Sequence, residues 1–109
     1  MISKELLSEV LGSKVRSIEI INSSVTYTLC HSVIGYVYIN IYELAHKCKE
    51  WATKQKYSFN ICYRDDWWDR LEKRVHIDFY NNSKSFQSDT EPEAIFKASQ
   101  WILENKTIN

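Results

Sequence analysis

Residues 40–54, NIYELAHKCKEWATK, decide how this chain folds, because they return in altered form as residues 90–104, TEPEAIFKASQWILE. Aligned without a gap, the two stretches match Glu43 with Glu93, Lys47 with Lys97 and Trp51 with Trp101, and set small Cys48 against small Ala98. In the first, Ile41, Leu44, Ala45, Cys48, Trp51 and Ala52 recur at spacings of three and four, the stripe of a helix with one buried face. In the second, Ala94, Ile95, Ala98, Trp101 and Ile102 do the same. Asn40 with Glu43 and Thr90 with Glu93 have the spacing of a capping box, and Pro92 sits in the first turn, where its missing N–H costs nothing. Glu43 with Lys47 and Glu50 with Lys54 are expected as i,i+4 pairs on the solvent face.

Working back from residue 40, the runs 15–21, 25–29 and 33–39 are rich in β-branched and aromatic residues, and Asn22-Ser23-Ser24 suits a hairpin turn. Val25, Tyr27 and Leu29 alternate with Thr26 and Thr28, so one sheet face should be buried and the other wetter. Working forward, Tyr57, Phe59, Ile61 and Tyr63 alternate with Ser58, Asn60, Cys62 and Arg64. Residues 75–80 alternate likewise, and a shorter strand follows the Asn81-Asn82-Ser83 turn. Ser3 can cap a helix through Leu11 that Gly12 ends.

The order is therefore an N-terminal helix followed by two βββα units, an α+β fold with a mostly antiparallel sheet and the helices on one face. The units span about residues 15–54 and 57–104 of one domain, residues 65–73 are expected as a loop peculiar to the second, and residues 106–109 as a loose tail. The simplest form is a single six-stranded sheet.

Composition narrows the function. The 109 residues hold 14 Lys+Arg against 14 Asp+Glu, so no global positive field gathers phosphates. Residues 1–56 hold seven basic and five acidic side chains and residues 57–109 seven and nine, a difference too small to name a partner. Three cysteines, Cys30, Cys48 and Cys62, form an odd set, and Lys4, Glu5 and Glu9 interrupt the region where a signal peptide holds its apolar run. Reduced thiols and a cytoplasmic location are the expectation. The polar residues between Ile20 and Tyr42 argue against a membrane span.

With only Gly12 and Gly35, the chain cannot build a phosphate-cradling loop or a dinucleotide fingerprint, and Gly-x-Ser-x-Gly is absent. Metal chemistry lacks a ligand set. Cys30 and His31 are adjacent, His46 and Cys48 are separated by roughly 200° on a helix, and no Cys-x-x-Cys occurs. His76, Asp78, Cys62 and Asn60 could meet across two strands, but only the register decides whether they do. No cofactor, metal or catalytic residue is assigned, and the chain is read as a non-enzyme.

The run HIDFY, a polar turn and then SDTEPEAIFKASQWILE, with ELAHKCKEWATKQKYSFNI upstream, resembles small phage and prophage proteins of the phage ABA sandwich domain family over about residues 41–104. The resemblance implies a phage or mobile-element origin and an α/β sandwich, and it brings no catalytic residues with it.

One stretch resists explanation as core. Asp65, Asp66, Trp67, Trp68, Asp69 and Arg70 combine adjacent tryptophans with carboxylates and guanidinium, the composition of interface anchors. The plainer alternative is that one tryptophan closes the end of the fold while the charges solvate a loop; a calcium loop would need a glycine that is not there. The expectation is a phage or mobile-element accessory protein that binds a host protein stoichiometrically and inhibits a defence system in the manner of an anti-CRISPR. The alternative is a nucleic-acid-binding accessory protein using Lys47, Lys49, Lys54 and Lys56. A second copy is a candidate cover for the open sheet face, where Tyr36, Tyr38 and Tyr80 are expected.

Overall fold

The computed structural model describes residues 2–21, 24–29, 36–66, 69–79 and 84–106. Helix α1 (Lys4–Leu11) is followed by β1 (Val15–Ile21), β2 (Ser24–Leu29), β3 (Tyr36–Asn40) and α2 (Ile41–Lys54). A second unit repeats the order with β4 (Phe59–Asp66), β5 (Asp69–Phe79), β6 (Ser85–Ser88) and α3 (Glu91–Lys106). The α+β class and the βββα order in each half are as the periodicity predicts. The single six-stranded sheet is not. Among the described residues the strands form two separate antiparallel sheets, β1-β2-β3 and β4-β5-β6. The helices pack against one another, α2 on α3 and α1 on both, and the molecule measures 50 × 36 × 18 Å.

Local signals explain the helix ends. Ser3 Oγ accepts from the Leu6 amide, and Gly12 closes α1 in the left-handed region at φ 72°. Ser8 Oγ then accepts from the Val15 amide at 3.0 Å, tying the helix to the first strand. Asn40 Oδ1 caps α2 by accepting from Tyr42 N at 2.8 Å. Glu43 lies beside Tyr27, and in the second capping box the reciprocal half is replaced: Glu93 accepts from Ser88 Oγ at 2.7 Å. At Glu93 a tertiary partner displaces the local one.

The expected solvent-face pairs on α2 also change partners. His46 Nε2 meets Glu50 Oε1 at 2.7 Å, and Lys49 reaches Glu91 of α3 at 3.9 Å. Glu50 thus turns to the preceding turn of its own helix rather than to Lys54, and no Glu43–Lys47 ion pair forms among the described residues.

Two residues next to helix ends make opposite predictions. Lys56, just past α2, sits at φ 68°, which costs a side chain with a Cβ about 1 kcal/mol. Lys56→Gly should therefore raise stability by up to about 1 kcal/mol. Gly12→Ala should lower it by a similar ~1 kcal/mol, from backbone strain alone because a Cβ there meets nothing within 4 Å. Urea midpoints of the two variants should move in opposite directions.

Both predicted stripes face the core. Leu44, Ala45, Cys48, Trp51 and Ala52 are buried on α2, and their counterparts Ala94, Ile95, Ala98 and Ile102 are buried on α3, with Trp101 half-buried. α3 buries a wider arc, taking in Phe96, Ser99 and Leu103, because α1, α2, β5 and β6 surround it. Under it lies an aromatic cluster in which Phe79 contacts Tyr57, Phe59, Phe86 and Trp101 at ring-centroid distances of 5.1–5.7 Å.

The first sheet departs from simple alternation. Val25 and Tyr27 are buried as expected, but Thr26 on the opposite face is only 3% exposed, its row filled by the register partners Glu19 and Tyr38. Tyr38 is 70% exposed, on a sheet face that is open in the single chain; the Tyr36 side chain and Tyr80 fall outside what the structure describes. So do residues 81–83, the expected turn before β6, and 107–109 of the expected tail.

Two buried hydroxyls, Thr26 Oγ1 and Ser99 Oγ, make no hydrogen bond of regular geometry. The polar group that Ser99 meets is the Cys48 thiol across the α2–α3 contact. Ser99→Ala removes a desolvated hydroxyl and adds helix propensity, so it should stabilise the fold by about 1 kcal/mol, a gain readable in the thermal midpoint.

Candidate functional site

The second unit carries a structure that the first lacks. Of residues 65–73, expected as a loop, 65–66 and 69–73 instead continue two strands. The β4–β5 ladder runs from Phe59↔Phe79 through Asn60↔Asp78, Cys62↔His76 and Arg64↔Arg74 to Asp65↔Lys73 and Asp66↔Asp69. β6 pairs with β5 only from Val75 to Asp78. Residues 69–74 of β5 therefore have no partner on β6 among the described residues, and that end of the hairpin is a two-stranded arm. Long alternating runs zip together wherever both strands keep a ladder partner, which favours a hairpin over a loop.

Near its tip the register slips. Residues 70–72 of β5 face no partner on β4, a bulge that bends and twists the strand where pairing ends. Asp65 and Asp66 end β4, Asp69 opens β5 and Arg70 begins the bulge. Trp67 and Trp68, the two residues between Asp66 and Asp69, lie outside the described residues. The ladder brings Asp65, Asp66 and Asp69 to one end of the second sheet. It also settles the register of the strand pair considered for catalysis, with Cys62 opposite His76 and Asn60 opposite Asp78.

The four lysines are dispersed. Lys47 and Lys54 are seven apart on α2 and share a face, whereas Lys49 is roughly 200° away from Lys47 and pairs with Glu91. Lys56 lies beyond the helix end. Lys47 borders a small pocket of about 350 Å³ with Tyr27, Tyr38 and Glu43. Burial, and next the Glu43 carboxylate, raise the Tyr27 phenol above its ordinary pKa of 10.0.

A larger concavity went unread in the sequence. A cleft of about 750 Å³ opens between the two sheets, with a floor of Ile2, Val25, Ile41, Phe86, Phe96 and Trp101. Ile20 forms part of its wall and is 44% exposed. Glu93, Lys97, Gln100 and Glu104 mark its helical rim. These rim groups are engaged: Gln100 accepts from Ser3 Oγ at 2.8 Å and donates to Glu104, while Lys97 Nζ donates to the Gln87 carbonyl at 3.2 Å. The sequence offered only one hint of the cleft, the adjacent Ile20 and Ile21 on a strand where alternation predicts a polar residue at one of them.

Among the described residues no group of three or more His, Cys, Asp or Glu is placed to hold a metal ion, and no helix is long and apolar enough to cross a membrane. No protein-family model, curated protein or solved structure matches this chain. The resemblance to the phage ABA sandwich domain accordingly rests on the residue pattern of 41–104 alone.

Proposed function

We propose that this chain is a stoichiometric protein-binding module of phage or mobile-element origin, acting in the host cytoplasm on a host protein such as a component of a defence system, as an anti-CRISPR does. The observation that supports this most is the β4–β5 arm, which outruns its third strand and has the sequence Asp-Asp-Trp-Trp-Asp-Arg at its end. A hairpin tip is reachable by a partner from several sides, and adjacent tryptophans supply the large, low-entropy contact area typical of binding hot spots. The flanking carboxylates and Arg70 would fix orientation more than affinity. No cofactor is required by such a role.

The nucleic-acid alternative receives less support, since Lys49 is engaged with Glu91 and Lys47 and Lys49 face different ways. Binding through so few cations would also vanish at moderate salt.

The test is affinity capture from a bacterial lysate with mass spectrometry and a nuclease-treated control, repeated with Trp67→Ala/Trp68→Ala. Hot-spot tryptophans are worth about 2 kcal/mol or more each, so the double variant should weaken the captured complex by at least about 100-fold with an unchanged circular dichroism spectrum. Undiminished capture by the double variant removes the arm from the interface. Capture that disappears after nuclease treatment moves the assignment to nucleic acid.

A further inference from the structure

We propose that the cleft between the two sheets receives an extended peptide strand of a partner protein, which pairs with the free edges of β1 and β6 and joins the sheets. This surface is separate from the β4–β5 arm, and the proposal goes beyond the reading given for that arm.

The cleft is bordered by one edge strand from each sheet. Ile20 of β1 and Phe86 of β6 line it, and among the described residues neither of the other edge strands, β3 and β4, contributes a side chain. An edge strand presents a row of backbone donors and acceptors without ladder partners, which another extended chain satisfies. β6 shows this directly. The Gln87 carbonyl accepts from Lys97 Nζ, a side chain of the cleft wall, so a backbone acceptor of β6 is open to the cleft. Lysine is a common means of blunting a strand edge, and its flexible stem can yield the carbonyl to an incoming amide.

The apolar lining supplies the second half of the recognition. Ile20 lies on the same sheet face as its register partner Val25, which is 1% exposed, yet Ile20 remains 44% exposed. An inserted strand places alternate side chains on that face, where Ile20, Phe86 and Trp101 would receive them. Its other side chains point to the outer face and can be polar. The occupant is thus an extended segment with apolar residues at every second position.

The polar groups argue against other occupants. A small ligand is oriented by polar side chains that have capacity to spare, but here Gln100 is engaged by Ser3 and Glu104, and Glu93 by Ser88. A helix saturates its own backbone and has no use for the Gln87 carbonyl or the β1 edge.

The experiment uses the full-length chain to select from a displayed library of random decapeptides, followed by synthesis of the enriched peptides. The expected result is enrichment of alternating apolar residues, and at least a tenfold loss of affinity when alternate backbone amides of the peptide are N-methylated. Ile20→Lys, at a position exposed enough to tolerate it, should weaken the same peptides at least tenfold without shifting the thermal midpoint of the free protein. Lys97→Met, which frees the β6 carbonyl and keeps an apolar stem, should bind them as well or better. Selected peptides with helical i, i+3, i+4 spacing, indifference to N-methylation or to Ile20→Lys, or failure of any peptide to enrich, would each overturn the proposal. So would a concentration-dependent dimer that Ile20→Lys dissociates, since the occupant would then be a second copy.

Discussion

Phe79→Ala is expected to lower the unfolding free energy by about 3–5 kcal/mol, a large share of the roughly 5–15 kcal/mol available to a domain of this size. Phe79 is 4% exposed and is the ring around which the second sheet packs on α3. Tyr57, Phe59, Phe86 and Trp101 all contact it, at 5.1, 5.4, 5.7 and 5.4 Å. Truncation removes the buried area and leaves four aromatic side chains around a void that backbone ladders on either side keep from closing. The lost ring–ring contacts, each worth about 0.5–1.5 kcal/mol when measured singly and not additive, place the Phe79→Ala loss toward the upper end of its range. Phe79→Leu keeps most of the volume and should cost about 1.5 kcal/mol or less. Urea unfolding followed by near-ultraviolet circular dichroism separates the two variants. A Phe79→Ala loss no greater than that of Phe79→Leu would mean that the cluster collapses around the void and is not a rigid core.

Above pH 9 the protein should become progressively less stable, and Cys48 should account for much of the loss. Burial against α3 pushes its thiol up from 9.0 to about 12, an effect that its contact with Ser99 only partly offsets. Because the folded state holds the proton more tightly than the unfolded state, this contribution is fully present below pH 9 and is lost as pH rises toward 12. The slope is about 1.4 kcal/mol per pH unit, which gives roughly 2 kcal/mol by pH 10.5 and about 4 kcal/mol at pH 12. The raised phenol of Tyr27 acts in the same direction above pH 10. Cys48→Ala places in α2 the residue that Ala98 supplies in α3, and it should remove most of the loss between pH 8 and pH 10.5. Guanidinium midpoints of both proteins at the two pH values make the comparison. An equal decline in both would assign the alkaline loss to other groups. The same burial leaves Cys48 inert to thiol reagents at neutral pH, in keeping with a packing role.

The helices were legible because their information is local. Ser3, Gly12, Asn40 and Thr90 mark the ends, and the three- and four-residue spacing of Leu44, Ala45, Cys48 and Ala52 marks the buried face of α2. The capping boxes were half legible: their hydroxyl and amide oxygens cap as spacing predicts, but Glu93 accepts from Ser88 of β6, a partner from outside its helix. The ion pairs on α2 are of two kinds: Glu50 turns to His46, a competing partner four residues back on the same helix, whereas Glu91 is 42 positions from Lys49 and no window on the sequence contains both.

Composition singles out the Asp65–Arg70 stretch as a candidate, while the two-stranded arm that leads to it depends on where β6 stops pairing. The cleft left no trace beyond the adjacent Ile20 and Ile21. Its walls come from β1, β2, β6 and α3 together with Ile2 and Ile41, and its apolar residues Val25, Ile41, Phe86, Phe96 and Trp101 taken alone read as ordinary core.

The sequence by itself determined the elements, their order, the repeat of βββα and the faces that each helix buries, because hydrophobic period and capping chemistry act within a few residues. Tertiary structure alone decided that the six strands divide into two sheets with a cleft between them, and that the second hairpin extends as an arm. Strand pairing joins residues far apart in the chain, and whether an edge finds a partner depends on how α1, α2 and α3 pack beneath it. Among the described residues β1 and β6 are edge strands, and the β4–β5 hairpin is longer than its third strand.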